Sequence, residues 1–198
     1  MEKKSITIGR QFGCGGRELG RRVAQTRSMA YYDKELLAVA ARESGLDQSF
    51  LESRDEPVTN SFLYSLAMGQ PNAFFPGTAG TSLEQLAADA QRAAILQVAD
   101  RGPCVIVGRC ADAVLKDRPG TLRVFVWAEE ADRVSRVMRR ERLGEEDARK
   151  KLARMDKVRR SYYESHCDGS WGAANNYDLC LNLSSCGMET AVQLIAAF

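Results

Sequence analysis

Histidine is nearly absent, with His166 the single copy, and the six cysteines include no CxxC pair. That excludes a zinc cluster and a disulfide framework, so Cys14, Cys104, Cys110, Cys167, Cys180 and Cys186 are read as reduced thiols. His166 lies in no motif with Asp or Cys and reads as a surface-loop residue without a catalytic part. Long apolar runs are missing too: residues 105–107 and 124–128 are far too short to cross a bilayer. Residues 1–4 lead straight into a polar turn, so neither secretion nor a membrane partner is expected and the expected compartment is the cytoplasm. No internal repeat or low-complexity tract is present. Prolines number five, and three of them fall within residues 46–81.

What is there is ample apolar material. With 44% hydrophobic and 27% charged residues in 198, the chain has the composition of one soluble α/β domain. The formal charge of +2 hides an asymmetry: residues 131–163 hold twelve Lys and Arg against six Asp and Glu, a local +6 that leaves −4 elsewhere. An anionic partner for that segment is expected: a phosphorylated small molecule, nucleic acid, or only solvent over a charged helix face.

Alternation over residues 4–8 predicts a strand, followed by the turn Gly13-Cys14-Gly15-Gly16 and a helix carrying Leu19, Val23 and Ala24. A second strand is expected at 29–32, then a helix through Leu36, Leu37, Val39 and Ala40 that Gly45 stops. Residues 46–81 mix short helical pieces with turn-rich stretches and read as an insertion, mobile over 69–80. Ser82, with Gln85 three residues on, caps a long helix that ends at Gly102-Pro103. The remainder predicts a buried strand at 104–107, a helix at 111–116, a strand at 121–127 and helices at 129–142 and 145–163 hinged at Gly144. A last strand at 177–183 and a closing helix at 188–197 follow. Five strands separated by helices make a parallel α/β sheet.

A glycine-dense turn between strand and helix lets successive N–H groups approach a phosphate beside the positive end of the helix. A structural tight turn flanked by solvated Arg10 and Arg17 is the competing reading. The pattern GxxxxGK[ST] is not met: with Gly15 as its second glycine, Gly16 stands for the lysine and Arg17 for the hydroxyl residue. With Gly16 in that place, the substitutes are Arg17 and Glu18. The hydroxyl that binds magnesium is missing in either register. Asp33, closing the second strand, is a helix N-cap or a site residue. Arg109 leaves the C-terminal end of a buried strand, the edge where open α/β sheets bind ligands, and is favoured as functional. Arg133, Arg136 and Arg140 are interleaved with acids and read as a solvated face. Cys14 reads as a small filler, and Trp127 and Trp171 as structural.

The runs ITIGRQFGCGGRE (6–18), YYDKEL (31–36), VIVGRCAD (105–112), MDKVRRSYY (155–163) and NYDLC (176–180) together resemble the cytidylate kinase-like family over essentially the whole chain. The resemblance implies a P-loop kinase-like three-layer sandwich with a five-stranded parallel sheet, a helical insertion at 46–81 that binds the acceptor, and an Arg-rich lid at 144–170, all in one domain of 198 residues. The strand count, the insertion and the basic segment, read from the residues alone, fit that plan. It further implies that Gly13, Cys14, Gly15, Gly16 and Glu18 wrap the triphosphate of ATP and that Arg17 replaces the lysine. Asp33, Arg109 and Asp112 would hold the acceptor, and Arg154, Lys157, Arg159 and Arg160 would form the lid that neutralises the transferring group. Mg²⁺ is implied with ATP, with Glu18 or water in place of the missing ligand. The expected activity is transfer of the γ-phosphoryl of ATP to a small phosphorylated acceptor such as CMP. The alternative is a non-catalytic nucleotide sensor with a degenerate loop. Nucleic-acid binding is disfavoured, because no aromatics interleave the basic residues before Tyr162 and Tyr163. Oligomeric state is left open.

Overall fold

The computed structural model describes residues 4–33 and 83–198. Its five strands are β1 (Ser5–Arg10), β2 (Ala30–Tyr32), β3 (Cys104–Val107), β4 (Thr121–Trp127) and β5 (Leu179–Asn182). They pair in parallel in the order β2-β3-β1-β4-β5. The helices among the described residues are α1 (Gly16–Thr26), α2 (Leu83–Arg101), α3 (Ala111–Val114), α4 (Glu130–Glu141), α5 (Glu145–His166) and α6 (Leu183–Ala196), with a 3₁₀ turn at Ala174–Asn176. The expected α/β architecture with a five-stranded parallel sheet is therefore the observed one.

The central strand is β1, hydrogen-bonded on one side to β3 and on the other to β4. Strands buried on both faces need apolar residues throughout, and all four residues of β3 are fully buried. On one face Ile6, Ile8, Val105, Val107, Leu122, Val124 and Val126 meet Leu19, Val23 and Ala24 of α1 and Ala191, Val192 and Ile195 of α6. Full burial of each large side chain contributes about 1.5–3 kcal/mol. A second apolar cluster lies outside the sheet. Val134 and Val137 of α4 pack with Ala148, Leu152 and Met155 of α5 around Phe12, so the helical hairpin closes on the loop after β1.

Element ends differ from the sequence reading in instructive places. β1 continues to Arg10, and α5 runs on to His166, which therefore ends a helix instead of lying in a loop, its ring stacked on Tyr162 at 4.3 Å. β5 is shorter than expected, and α6 begins at Leu183, because the Asn182 side chain accepts from Ser184 N at 3.0 Å and caps a first turn. Gly187, at φ 71, then breaks the helix, and the expected closing helix is the piece after it. The helix expected after Asp33, the insertion at 46–81 and the cap at Ser82 lie outside the described residues.

The chain divides into two compact units, residues 1–33 with 95–198 and residues 34–94. Of the second, the described residues are the first part of α2, in which Ala90 and Gln91 are buried. The sheet and the glycine loop belong to the first. Among the described residues no helix is long and apolar enough to cross a membrane.

Candidate phosphate-binding site

Parallel strands end at one edge, so the C-terminal ends of β1, β2 and β3 gather there, with Asp33 directly after β2. After β1 the chain turns through Gly13 at φ 78 and Gly15 at φ 100, and Gly15 caps α1. The backbone of this loop is held from outside by the α4–α5 hairpin. Phe12 N donates to Asp156 Oδ1 at 2.7 Å, and Arg133 Nε donates to Phe12 O at 2.8 Å. Arg136 Nη1 donates to Gly13 O at 3.3 Å, and Arg159 Nη1 to Arg10 O at 3.1 Å. Arg133 and Asp156 are themselves an ion pair. Two loop carbonyls and that of Arg10 at the end of β1 are thus turned toward guanidinium groups, while the first N–H groups of α1 have no acceptor within the helix.

Beside the loop opens a cavity of about 670 Å³, lined by Gly13, Gly15, Gly16 and seven arginines: Arg10, Arg17, Arg21, Arg136, Arg139, Arg140 and Arg159. Glu18 is its one carboxylate. The Arg136 guanidinium lies so close over Gly15 that a Cβ there would sit 2.5 Å from Nη1. Arg140 and Arg159 stand over the Phe12 ring, with Cζ at 5.1 Å and 5.3 Å from its centroid. Burial, then the neighbouring Arg10 charge, push Arg159 below the usual arginine range. An arginine keeps its proton in such a place, so the cost falls first on desolvating its charge and second on repulsion from Arg10.

The end of β3 is strained. Gly108, Arg109 and Cys110 succeed one another at φ 76, 64 and 55, and left-handed non-glycine residues cost on the order of 1–2 kcal/mol each. The Arg10 guanidinium lies against Gly108, so that a Cβ there would displace it. Arg10 therefore bridges the glycine loop and the β3 end. Asp33, buried at the end of β2, joins them: Arg17 Nε reaches its Oδ2 at 2.7 Å and Arg10 Nη2 its Oδ1 at 3.9 Å.

Of the residues singled out from the sequence, Gly13, Gly15, Gly16, Arg17, Glu18 and Arg159 share this cavity, with Asp33 attached through Arg17. Arg109 is buried at the neighbouring strand end, and Asp112 is buried in α3, where it accepts from Tyr163 Oη at 2.9 Å. Arg154 is exposed and does not line the cavity; nor does Arg160, which stands over Trp171 at 5.8 Å. Cys14 is a filler: its thiol is fully buried in the core beside Val126 O, and burial pushes its pKa up.

The solvated face expected for Arg133, Arg136 and Arg140 holds for Arg140, which is exposed and pairs with Glu141 while lining the cavity, and is corrected for the other two: Arg133 is buried, and Arg136 turns toward the loop. Their spacing of three and four residues marks one helical stripe, a signal that the interleaved acids obscured. Arg10, Arg21 and Arg139 join the same cavity without having been singled out as site residues.

The carboxylates nearby do not fit a protein-held Mg²⁺. Glu18 is exposed, and its Oε1 accepts from Arg22 Nη2 at 2.8 Å. Asp33, Asp156 and Asp112 are each engaged by protein donors. Residues 9–20 contain no Ser or Thr, and the described residues include no cluster of three His, Cys, Asp or Glu that could hold a metal.

Among solved structures, an uncharacterized protein from Eubacterium ventriosum is 26% identical, with a TM-score of 0.71 over 98% of this chain and 96% of that one. The shikimate kinase of Bacteroides thetaiotaomicron is 13% identical, with a TM-score of 0.53 over 98% of this chain and 96% of that one. TT1252 from Thermus thermophilus, 18% identical at a TM-score of 0.53, is covered over 98% of its length by 100% of this chain. The last two likenesses show the fold, which is that of P-loop kinases. No curated protein matches the chain. The model of the cytidylate kinase-like family matches residues 5–185, the span that carries the glycine loop, Asp33, the strained β3 end and the arginine hairpin, and the chain belongs to that family.

Proposed function

We propose that the protein transfers the γ-phosphoryl group of ATP to a small phosphorylated acceptor, a pyrimidine monophosphate such as CMP being the first candidate. The observation that carries this reading is the arginine-lined cavity of about 670 Å³ at the glycine loop, beside the strand end that presents Arg109. Phosphoryl transfer needs alignment, charge neutralisation and exclusion of water, with little covalent help from the protein. Loop amides and Arg136 would grip the donor phosphates, Arg109 the acceptor phosphate, and Arg159 the charge between them. Arg17, held by Asp33 at 2.7 Å, would stand between donor loop and acceptor. Asp112 would orient the acceptor from the first turn of α3, and Arg154 and Arg160 would act from α5 as the lid closes. Residues 46–81 as the acceptor-binding insertion, 144–170 as the lid, and a cytoplasmic location belong to the same proposal.

The loop lacks both the lysine and the hydroxyl of the usual pattern, which favours a second reading, a nucleotide sensor without turnover. A coupled assay with ATP against CMP, dCMP, UMP, AMP and non-nucleotide phosphates separates the two. Turnover with one acceptor is expected. Arg109→Ala should raise the KM for that acceptor about tenfold or more while leaving ATP affinity nearly unchanged. ATP binding with no transfer to any acceptor would leave only the sensor.

A further inference from the structure

We infer that the glycine-loop cavity binds its nucleoside oligophosphate as the uncomplexed anion, the chain's guanidinium groups taking the place of a divalent cation. This rests on the nucleotide-dependent reading above and specifies the form in which the donor is taken.

Seven arginines and one carboxylate line the cavity. Arg17 and Arg10 share Asp33, at 2.7 Å and 3.9 Å, and Arg140 reaches Glu141 Oε1 at 2.6 Å. Among the described residues no carboxylate lies within ion-pair distance of Arg21, Arg136, Arg139 or Arg159, the Asp156 charge that acts on Arg159 being paired with Arg133. Four such charges around one space correspond to the about four negative charges of a free nucleoside triphosphate at neutral pH, against about two for its magnesium complex. Planar guanidinium forks also bind the same phosphate oxygens that a divalent ion would occupy, so ion and arginines compete for them. Among the described residues the loop offers the ion no ligand: Glu18 is tied to Arg22, and residues 9–20 contain no Ser or Thr. Half-buried Arg159, its basicity lowered by desolvation first and by Arg10 second, lies among these charges, and a cluster of like charges gains most from the most highly charged ligand.

The test is calorimetric titration of the full chain with ATP and with inorganic tripolyphosphate at matched ionic strength, once in EDTA and once in excess MgCl₂. Binding in EDTA is expected for both ligands, and magnesium should weaken each about three- to tenfold. Arg136→Met should weaken tripolyphosphate binding in EDTA about tenfold or more, and the exposed Arg139→Met, which leaves the loop contacts intact, about threefold. Thermal melts would confirm that each variant is folded. Binding that requires magnesium, or that magnesium leaves unchanged, overturns the inference and leaves the phosphotransferase reading standing. Absence of binding in both arms overturns both.

Discussion

Asp112 shows what burial does to a single carboxylate. Desolvation raises its pKa above the usual carboxylate range, and the bond from Tyr163, 2.9 Å long, offsets this only in part. With the folded-state pKa above the unfolded one, ionisation falls on the native state and stability is lost as pH rises through that interval. Asp112→Asn keeps an acceptor for the Tyr163 hydroxyl and removes the charge. Relative to the parent, its melting temperature should therefore climb as pH rises from the ordinary carboxylate range toward neutrality. A difference independent of pH would mean that another group carries the effect. Arg17 illustrates a limit of spacing arguments. Adjacency to the glycine loop implies a donor-phosphate role, yet its Nε lies 2.7 Å from Asp33, while Arg136, more than a hundred residues later, covers Gly15. Loop glycines can be read from their neighbours, but the arginine that fills a loop cannot, because its long stem reaches across whatever packs beside it.

The α4–α5 hairpin is built onto the glycine loop. Its apolar cluster is centred on Phe12, whose amide and carbonyl are taken by Asp156 and Arg133. Movement of the hairpin must therefore release or carry the loop. Asp156→Ala strands the Phe12 amide and leaves Arg133 without its partner, which should cost about 2–3 kcal/mol in urea melts. Nucleotide affinity should fall with it, and Asp156→Asn, which retains an acceptor, should recover part of that affinity. Unchanged nucleotide affinity in a folded Asp156→Ala protein would show that the hairpin does not position the loop. Two helices broken at Gly144 were legible in the sequence. That Arg133 would be buried was not, since periodicity says which residues share a face and not what that face meets.

At the scale of the whole molecule the formal charge of only +2 conceals a concentrated positive field at one edge of the sheet. An anion bound there stabilises the fold by mass action: at about one hundred times Kd the gain is about 2.7 kcal/mol, a rise of about 5–11 °C for a domain of this size. Differential scanning fluorimetry with tripolyphosphate should show this rise at about 50 mM KCl and a markedly smaller one at about 300 mM. A shift indifferent to salt would argue against guanidinium binding. The order of strands and helices, the buried β3 and the left-handed loop glycines follow from the sequence by itself, because periodicity and glycine conformation are decided within a few neighbouring residues. Only the tertiary structure decided that Arg10, Arg136 and Arg159 converge on one cavity and that Asp33 takes Arg17. Such meetings span as many as 149 residues, and they depend on how parallel strands stack their ends and how one helical hairpin docks on Phe12.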